Sequence, residues 1–140
     1  MKRLYLILAL AMTGCATHTD RAGNVDDYPL NVQQASQVAR NVTGELSQRY
    51  PARTLFSFPH DTTSIFATAL EQSIRSAGMG ITTEDVSGYH RLRYRMQRLN
   101  SHQFFVVMTV NQTHFDTVWS DDDGTLSRLR TVTQYEVSHE

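Results

Sequence analysis

The stretch RLRYRMQRLNSHQFFVVMTV, residues 91–110, determines the architecture that we expect for the chain. In residues 91–96 apolar side chains alternate with arginines, which is the period of a strand with one buried face. Residues 104–110 are almost wholly apolar, as in a strand at the centre of a sheet. The pair Asn100-Ser101 between them favours a tight turn. We therefore predict an antiparallel hairpin in this stretch.

Two more strands are predicted downstream of this hairpin. Turn signals stand at residues 111–112 and 123–124, and the second is the Asp-Gly pair that is typical of two-residue hairpins. One strand lies between the two turns, and residues 125–137 supply the last strand. Because short turns join antiparallel neighbours, the chain is expected to end in a four-strand meander.

Two amphipathic helices are predicted upstream of the meander. Asn31 caps the first helix, with Gln34 as its reciprocal partner, and Pro51 ends it. Asp61 is the expected N-cap of the second helix, and Gly78 is the expected residue just beyond its end. In each helix apolar residues recur every three or four positions, so each has one face to bury.

Short strands are predicted at residues 54–58 and 79–81, on either side of the second helix. The order of helix, strand, helix and meander places the chain in the α+β class. We expect an antiparallel sheet, made of a short strand and the four-strand meander, with two helices packed on one face. Residues 30–140 are expected to form this fold as a single domain.

The start of the chain has the pattern of an export signal. Positive residues 2–3 precede a nearly all-apolar run over residues 4–12, which is too short to cross a bilayer of about 30 Å as a helix. Residues 12–15, Met-Thr-Gly-Cys, resemble a bacterial lipobox, in which the signal is cut before a lipidated cysteine. The resemblance implies a signal peptide at residues 1–14 and lipidation of Cys15. The alternative is a soluble N-terminal helix with an incidental cysteine.

The residue after this cysteine bears on the choice of membrane. Ala16 stands where lipoproteins retained at the inner membrane carry aspartate, so the resemblance implies the outer membrane, with the domain facing the periplasm. The polar composition of residues 15–29 favours a lipid-anchored tether. Cys15 is the only cysteine, so no disulfide is expected within the chain, and its lipid is the expected contact with the membrane.

Composition and motifs favour neither catalysis nor a cofactor. The 140 residues are 40% hydrophobic with a net charge of -1, which fits one globular domain and no direct nucleic-acid partner. The six histidines have neither HxxxH nor HExxH spacing, so no metal site is expected. Residues 58–64 place hydroxyls beside a histidine and an aspartate but lack a GxSxG elbow. Residues 121–124 fit a solvated turn better than a calcium loop, and no small-molecule substrate is expected.

Five arginines are candidates for a partner surface. Alternation places three on one side of the first meander strand, and two from the last strand are expected to join them: Arg91, Arg93, Arg95, Arg128 and Arg130. One interpretation is a solvated face, because antiparallel sheets often expose one side. The other is a contact surface, because arginine is enriched in protein interfaces.

The plan of nearly the whole chain resembles the TrbH family of conjugal transfer lipoproteins. Residues 64–78, SIFATALEQSIRSAG, carry the helix F-x-x-A-L-E-x-x-[IL]-[RK]-x-x-G that this family places before a sheet. The matching positions are Phe66, Ala69, Leu70, Glu71, Ile74, Arg75 and Gly78. The resemblance implies an outer-membrane structural component of a plasmid-transfer (type IV secretion) apparatus that docks on other envelope and channel proteins. It implies no catalytic residue, and only the acylated cysteine has a counterpart, Cys15.

Two other functions fit the same plan. One is an envelope-maintenance lipoprotein that assists an outer-membrane barrel or transport complex. The other is a tethered periplasmic enzyme, which needs a pocket with convergent polar groups.

Overall fold

The computed structural model describes the backbone of residues 18–136 and the side chains of residues 18–129. Its helices and strands follow in the order β1 (His18–Thr19), β2 (Val25–Asp27), α1 (Val32–Arg49), β3 (Leu55–Ser57), α2 (Ile65–Ser76), β4 (Gly80–Thr82), β5 (His90–Asn100), β6 (Gln103–Val110), β7 (Thr113–Asp122) and β8 (Thr125–Glu136). The predicted α+β class is confirmed. Cys15 and the proposed signal peptide lie outside the described residues.

The four strands β5 to β8 form the predicted meander. Each pairs antiparallel with the next along the chain. Two of the turns fall at the predicted residues, and the first lies at residues 101–102, one residue later than predicted. Asp123 and Gly124 have φ of 50° and 88°, the left-handed values that a two-residue type I′ turn requires. This turn pairs Asp122 with Thr125, which determines which residues of β8 point to the helices.

The remainder of the sheet is larger than predicted and mixed in direction. The strand order is β1-β2-β5-β6-β7-β8, with β3 pairing β4 and β5. Both β2 and β3 lie parallel to β5, and β4 lies parallel to β3. Although β3 and β4 fall where short strands are predicted, the expectation of a purely antiparallel sheet is wrong. Strands of two or three residues are too short for hydrophobic periodicity to reveal their partners.

The segment expected to be a tether belongs to the sheet. β1 and β2 pair antiparallel with each other, and β2 lies beside β5. The tether predicted over residues 15–29 is therefore wrong for residues 18–29, and the folded domain begins before residue 30.

A buried asparagine explains why this polar segment is ordered. Asn24, in the β1–β2 connection, is only 1% exposed. Its side-chain amide donates to Asp20 Oδ2 at 2.8 Å and to the Pro59 carbonyl at 2.9 Å. Its Oδ1 accepts from the Tyr94 backbone amide at 3.0 Å. These side-chain hydrogen bonds add to the pairing of β2 with β5 and hold the segment against the sheet.

The ends of α1 are those predicted from the sequence. The Asn31 side chain accepts from the Gln34 amide at 2.8 Å, and the Gln34 side chain accepts from the Asn31 amide at 3.1 Å. These two bonds form a complete capping box. The helix ends at Arg49, directly before Tyr50 and Pro51, because proline cannot continue the backbone hydrogen bonding.

The start of α2 differs from the prediction, whereas its end does not. Ser64 is the N-cap, and its hydroxyl accepts from the backbone amide three residues later. Asp61 instead accepts from Thr63 in the preceding turn, so its prediction as the cap is wrong. Gly78 follows the helix with a φ of 85°, as expected for the left-handed residue beyond a helix C-terminus.

Both helices cover the same face of the sheet. The Phe66 ring of α2 lies 4.8 Å from the Tyr94 ring, and the Arg49 guanidinium of α1 lies 4.8 Å over the Phe115 ring. Tyr94 and Phe115 share this face because both pair with Met108. The largest fully buried side chains of the core include Trp119, Phe56, Phe58, Phe104, Leu46, Leu70 and Ile74. No helix within residues 18–136 is long and apolar enough to cross a membrane.

Candidate functional site

Three of the candidate arginines lie on the outer face, which we define as the side of the sheet opposite the two helices. Arg91, Arg93 and Arg95 alternate along β5 with residues that are buried in the core. Arg93 and Arg95 are exposed, and Arg91 is partly exposed. The structure therefore brings these three side chains to one face, as the alternation predicts.

Cross-strand pairing arranges the outer face in rows. The first row contains Arg93, Thr109 and His114. The second contains Val25, Arg95, Val107 and Asp116. The third contains Asp27, Gln97, Phe105 and Val118. The arginines thus stand at one side of a flat surface whose chemistry changes from basic to apolar.

The three arginines differ in their partners. Arg91 Nη1 lies 2.8 Å from Asp85 Oδ2, so its charge is balanced locally. Arg95 Nη1 is 3.5 Å from Gln97 Oε1, which is a weak contact with a neutral group. Among the side chains of residues 18–129, no carboxylate forms an ion pair with Arg93 or Arg95. These two guanidiniums are therefore available to an outside acceptor.

Arg128 does not join the outer face. Its Nη1 lies 3.0 Å from Glu45 Oε1 and 3.0 Å from Asn41 Oδ1, both on α1. The hydrogen-bonded turn pairs Asp122 with Thr125, so Arg128 pairs with Trp119 and shares its core-facing side. The prediction for Arg128 is wrong for this reason, and the side chain of Arg130 lies outside the described part of the chain.

The middle of the outer face is apolar. Phe105 and Val118 face each other across β6 and β7, and Val107 lies next to Phe105 along β6. Leu129 of β8 is 38% exposed, and it lies in the stretch where the register between β7 and β8 shifts. The sequence signal for this patch is the alternation of side chains along β6. Phe105 and Val107 lie at every second position, and the side chains between them are buried under the helices. Sequence reasoning singled out only the arginines.

An aspartate on the outer face lacks a hydrogen-bond donor for one of its oxygens. Asp116 Oδ1 is buried, and no described side chain or backbone group bonds to it. Burial raises the pKa of this carboxyl, and the nearby His114 opposes that shift. The outer face therefore carries two guanidiniums without a described carboxylate partner and a buried carboxylate oxygen without a described donor.

A polar cleft of about 570 Å³ opens beside β1. Its carboxylates form hydrogen bonds with the loops that surround the cleft. Asp20 Oδ1 accepts from two backbone amides of its own turn. Asp61 accepts from Thr63 and then from His18, whose Nε2 is 3.1 Å away, and these bonds lower the pKa of the Asp61 carboxyl. Nearby, His60 Nε2 lies 2.9 Å from Glu71 Oε2. These contacts fix the β3–α2 connection against β1.

A second polar cluster joins β2, β5 and α2. Ser64 Oγ donates to Asp26 Oδ2 at 2.9 Å, and the Tyr94 hydroxyl donates to the same oxygen at 2.7 Å. Burial and the Asp26 charge raise the pKa of Tyr94, so its hydroxyl remains a donor. The serine also caps α2, so the cluster supports the helix start. Within residues 18–129, no group of histidine, cysteine and acidic side chains has the geometry to hold a metal ion.

Comparison with known protein families gives a match. A family model described as conjugal transfer protein TrbH matches residues 18–134, which is most of the chain. The match begins at His18, the first residue of β1. No curated protein and no solved structure matches the chain.

Proposed function

Because the chain belongs to the TrbH family of conjugal transfer proteins, we propose that it is a structural component that helps to assemble a conjugative type IV secretion apparatus. The observation that carries this function is the family match over residues 18–134, which spans every described element but the last residues of β8. Its partners are the other envelope and channel proteins of that apparatus. A role in assembly rather than in chemistry agrees with the use of the polar clusters in caps and turns.

Lipidation of Cys15 and location at the outer membrane are part of this proposal. Their support is the basic start, the apolar run and the lipobox-like residues 12–15, followed by Ala16 rather than aspartate. Several acyl chains on one cysteine bury enough methylene groups for stable anchoring, at about 0.8 kcal/mol for each CH₂. The folded domain faces the periplasm in this arrangement.

The early start of the sheet places the domain close to the proposed anchor. Only Ala16 and Thr17 separate Cys15 from β1. Three extended residues span about 10 Å, so lipidation of Cys15 holds the β1 end of the sheet near the membrane surface. The partner must therefore meet this domain next to the membrane, within the envelope-spanning part of the apparatus.

Co-purification from donor cells tests the proposed function. The full chain, tagged at its C-terminus, is extracted from envelopes with mild detergent and purified. We expect it to elute with other proteins of the transfer apparatus, and the matched control is the same strain without the remaining transfer genes. Elution with an outer-membrane barrel, together with a barrier defect on deletion, supports envelope maintenance instead. If the chain elutes without any other envelope protein, the result contradicts an assembly role.

A further inference from the structure

A groove crosses the basic side of the outer face. It has a volume of about 230 Å³ and is lined by both arginines that lack a carboxylate partner, together with Val107, Thr109 and His114. Arg93 and Arg95 are two positions apart on β5, so their guanidiniums project from the same side of the strand. Guanidinium groups bind carboxylates through paired, charge-assisted hydrogen bonds. The groove therefore has the chemistry of a carboxylate-binding site.

An apolar patch adjoins this groove. Phe105 and Val118 form it together with Val107, which also lines the groove, and all three are partly exposed. An apolar centre beside arginine is the composition of protein interfaces, whose strongest contacts come from aromatic and arginine side chains. The flat sheet offers several strands of contact surface on the side that the two helices leave open.

From this juxtaposition we propose that the outer face docks a segment of another transfer-apparatus protein that carries carboxylates next to apolar side chains. The carboxylates bind Arg93 and Arg95 in the groove, and the apolar side chains cover Phe105 and Val118. This docking role rests on the proposed function and adds the binding surface and the chemistry of the partner.

Charge distinguishes this partner from two other occupants. A second copy of the chain offers Arg93 and Arg95 few carboxylates, because the described rows of this face contain only Asp27 and Asp116, and one Asp116 oxygen is buried. An anionic membrane surface attracts the arginines but repels Asp27 and Asp116, which lie on the same face. A protein segment can place its carboxylates against the arginines and its hydrogen-bond donors or basic groups against the aspartates.

Photo-crosslinking in donor cells tests which occupant is present. A photoreactive phenylalanine analogue replaces Val107 in the full chain, with Val118 as a second position in case the first disturbs the sheet. The matched control position is Gln72, which is exposed on α2. We expect the outer-face positions, and not the control, to form an adduct with a protein of the transfer apparatus through a peptide containing aspartate or glutamate. A dimer of this chain, a phospholipid adduct or no adduct overturns the proposal.

Charge reversal then tests the role of the two arginines. The double variant Arg93→Glu, Arg95→Glu is compared with Arg40→Glu, which changes an exposed arginine of α1 on the other side of the sheet. We expect the double variant to lose the adduct and to lower plasmid transfer about tenfold or more, and the control to leave both unchanged. An adduct that survives charge reversal contradicts docking through these arginines.

The result separates failure of docking from failure of the proposed function. If deletion of the whole gene abolishes transfer but the double variant supports it fully, docking on this face is wrong and the transfer function remains. If deletion leaves transfer unchanged, the proposed function is itself wrong. The milder variant Arg93→Gln, Arg95→Gln removes the charges without reversing them and is expected to show a smaller loss in the same direction.

Discussion

The guanidinium of Arg128 lies 3.0 Å from the carboxylate of Glu45, which joins the last strand of the sheet to the first helix. Arg49 donates to the other oxygen of the same carboxylate at 2.9 Å. Burial by itself raises the pKa of Glu45, but the hydrogen bonds from Arg49 and Arg128 outweigh it and lower the pKa. Glu45 thus connects β8 to α1 in its ionised form.

We expect Glu45→Gln to lower the free energy of unfolding at pH 7 by roughly 1 kcal/mol, because charge-assisted bonds to two arginines are lost. Since the pKa is lowered in the folded state, this contribution is present above the unfolded pKa of about 4.3 and is lost as the pH falls through the folded pKa. Urea unfolding at pH 7 and pH 3 measures the difference. A loss of equal size at both pH values contradicts the account.

Asn24→Ala tests whether residues 18–29 belong to the folded domain. The substitution removes the buried amide and leaves the Tyr94 backbone amide without its acceptor, so we expect a loss of about 2 kcal/mol in urea unfolding. Asn100→Ala, in an exposed turn, is the matched control and is expected to cost less than about 1 kcal/mol. If the two substitutions lower the free energy of unfolding equally, residues 18–29 form a tether and not a part of the folded domain.

Asp116→Asn is expected to stabilise the isolated protein. Burial raises the pKa of Asp116 in the folded state, so its ionisation becomes a cost as the pH rises above the unfolded pKa of about 3.9. The amide removes that cost, so a gain in stability is expected at pH 7 and is expected to disappear near pH 3. Thermal unfolding measures it, with Asp122→Asn as the control in the exposed end of β7. Destabilisation at pH 7 disagrees with this expectation.

Cys15→Ser is expected to move the protein from the membrane fraction to the soluble periplasmic fraction, because the proposed acyl chains can no longer be attached. Fractionation and incorporation of labelled palmitate measure the two effects. Thr17→Ser is the neighbouring control and is expected to keep both the label and the membrane association. A Cys15→Ser protein that remains processed and membrane-bound argues against the lipid anchor.

Local rules were sufficient to predict the elements whose signals lie within a few residues. The capping box of Asn31 and Gln34, the end of α2 at Gly78 and the turn at residues 123–124 are all confirmed. Each depends on a side chain or a dihedral angle at the position itself. The predicted cap Asp61 is the exception, because Ser64 caps α2 and Asp61 bonds to Thr63 and His18.

Features that depend on distant partners were missed. The tether prediction failed because Asn24 finds Pro59 and Tyr94 far along the chain, and composition does not reveal such bonds. The position of Arg128 was predictable from the two-residue turn, which gives the cross-strand register and hence its pairing with Trp119. The arginines of β5 were predicted correctly to share a face, because alternation alone decides it.

Plasmid transfer from donors that lack this gene is the most direct test of the central claim that the chain is a component of the conjugal transfer apparatus. The account predicts that deletion lowers the transfer frequency by orders of magnitude and that the full chain supplied in trans restores it. It further predicts an unchanged outer-membrane barrier in the deletion strain. Transfer at the wild-type frequency from the deletion strain contradicts the account.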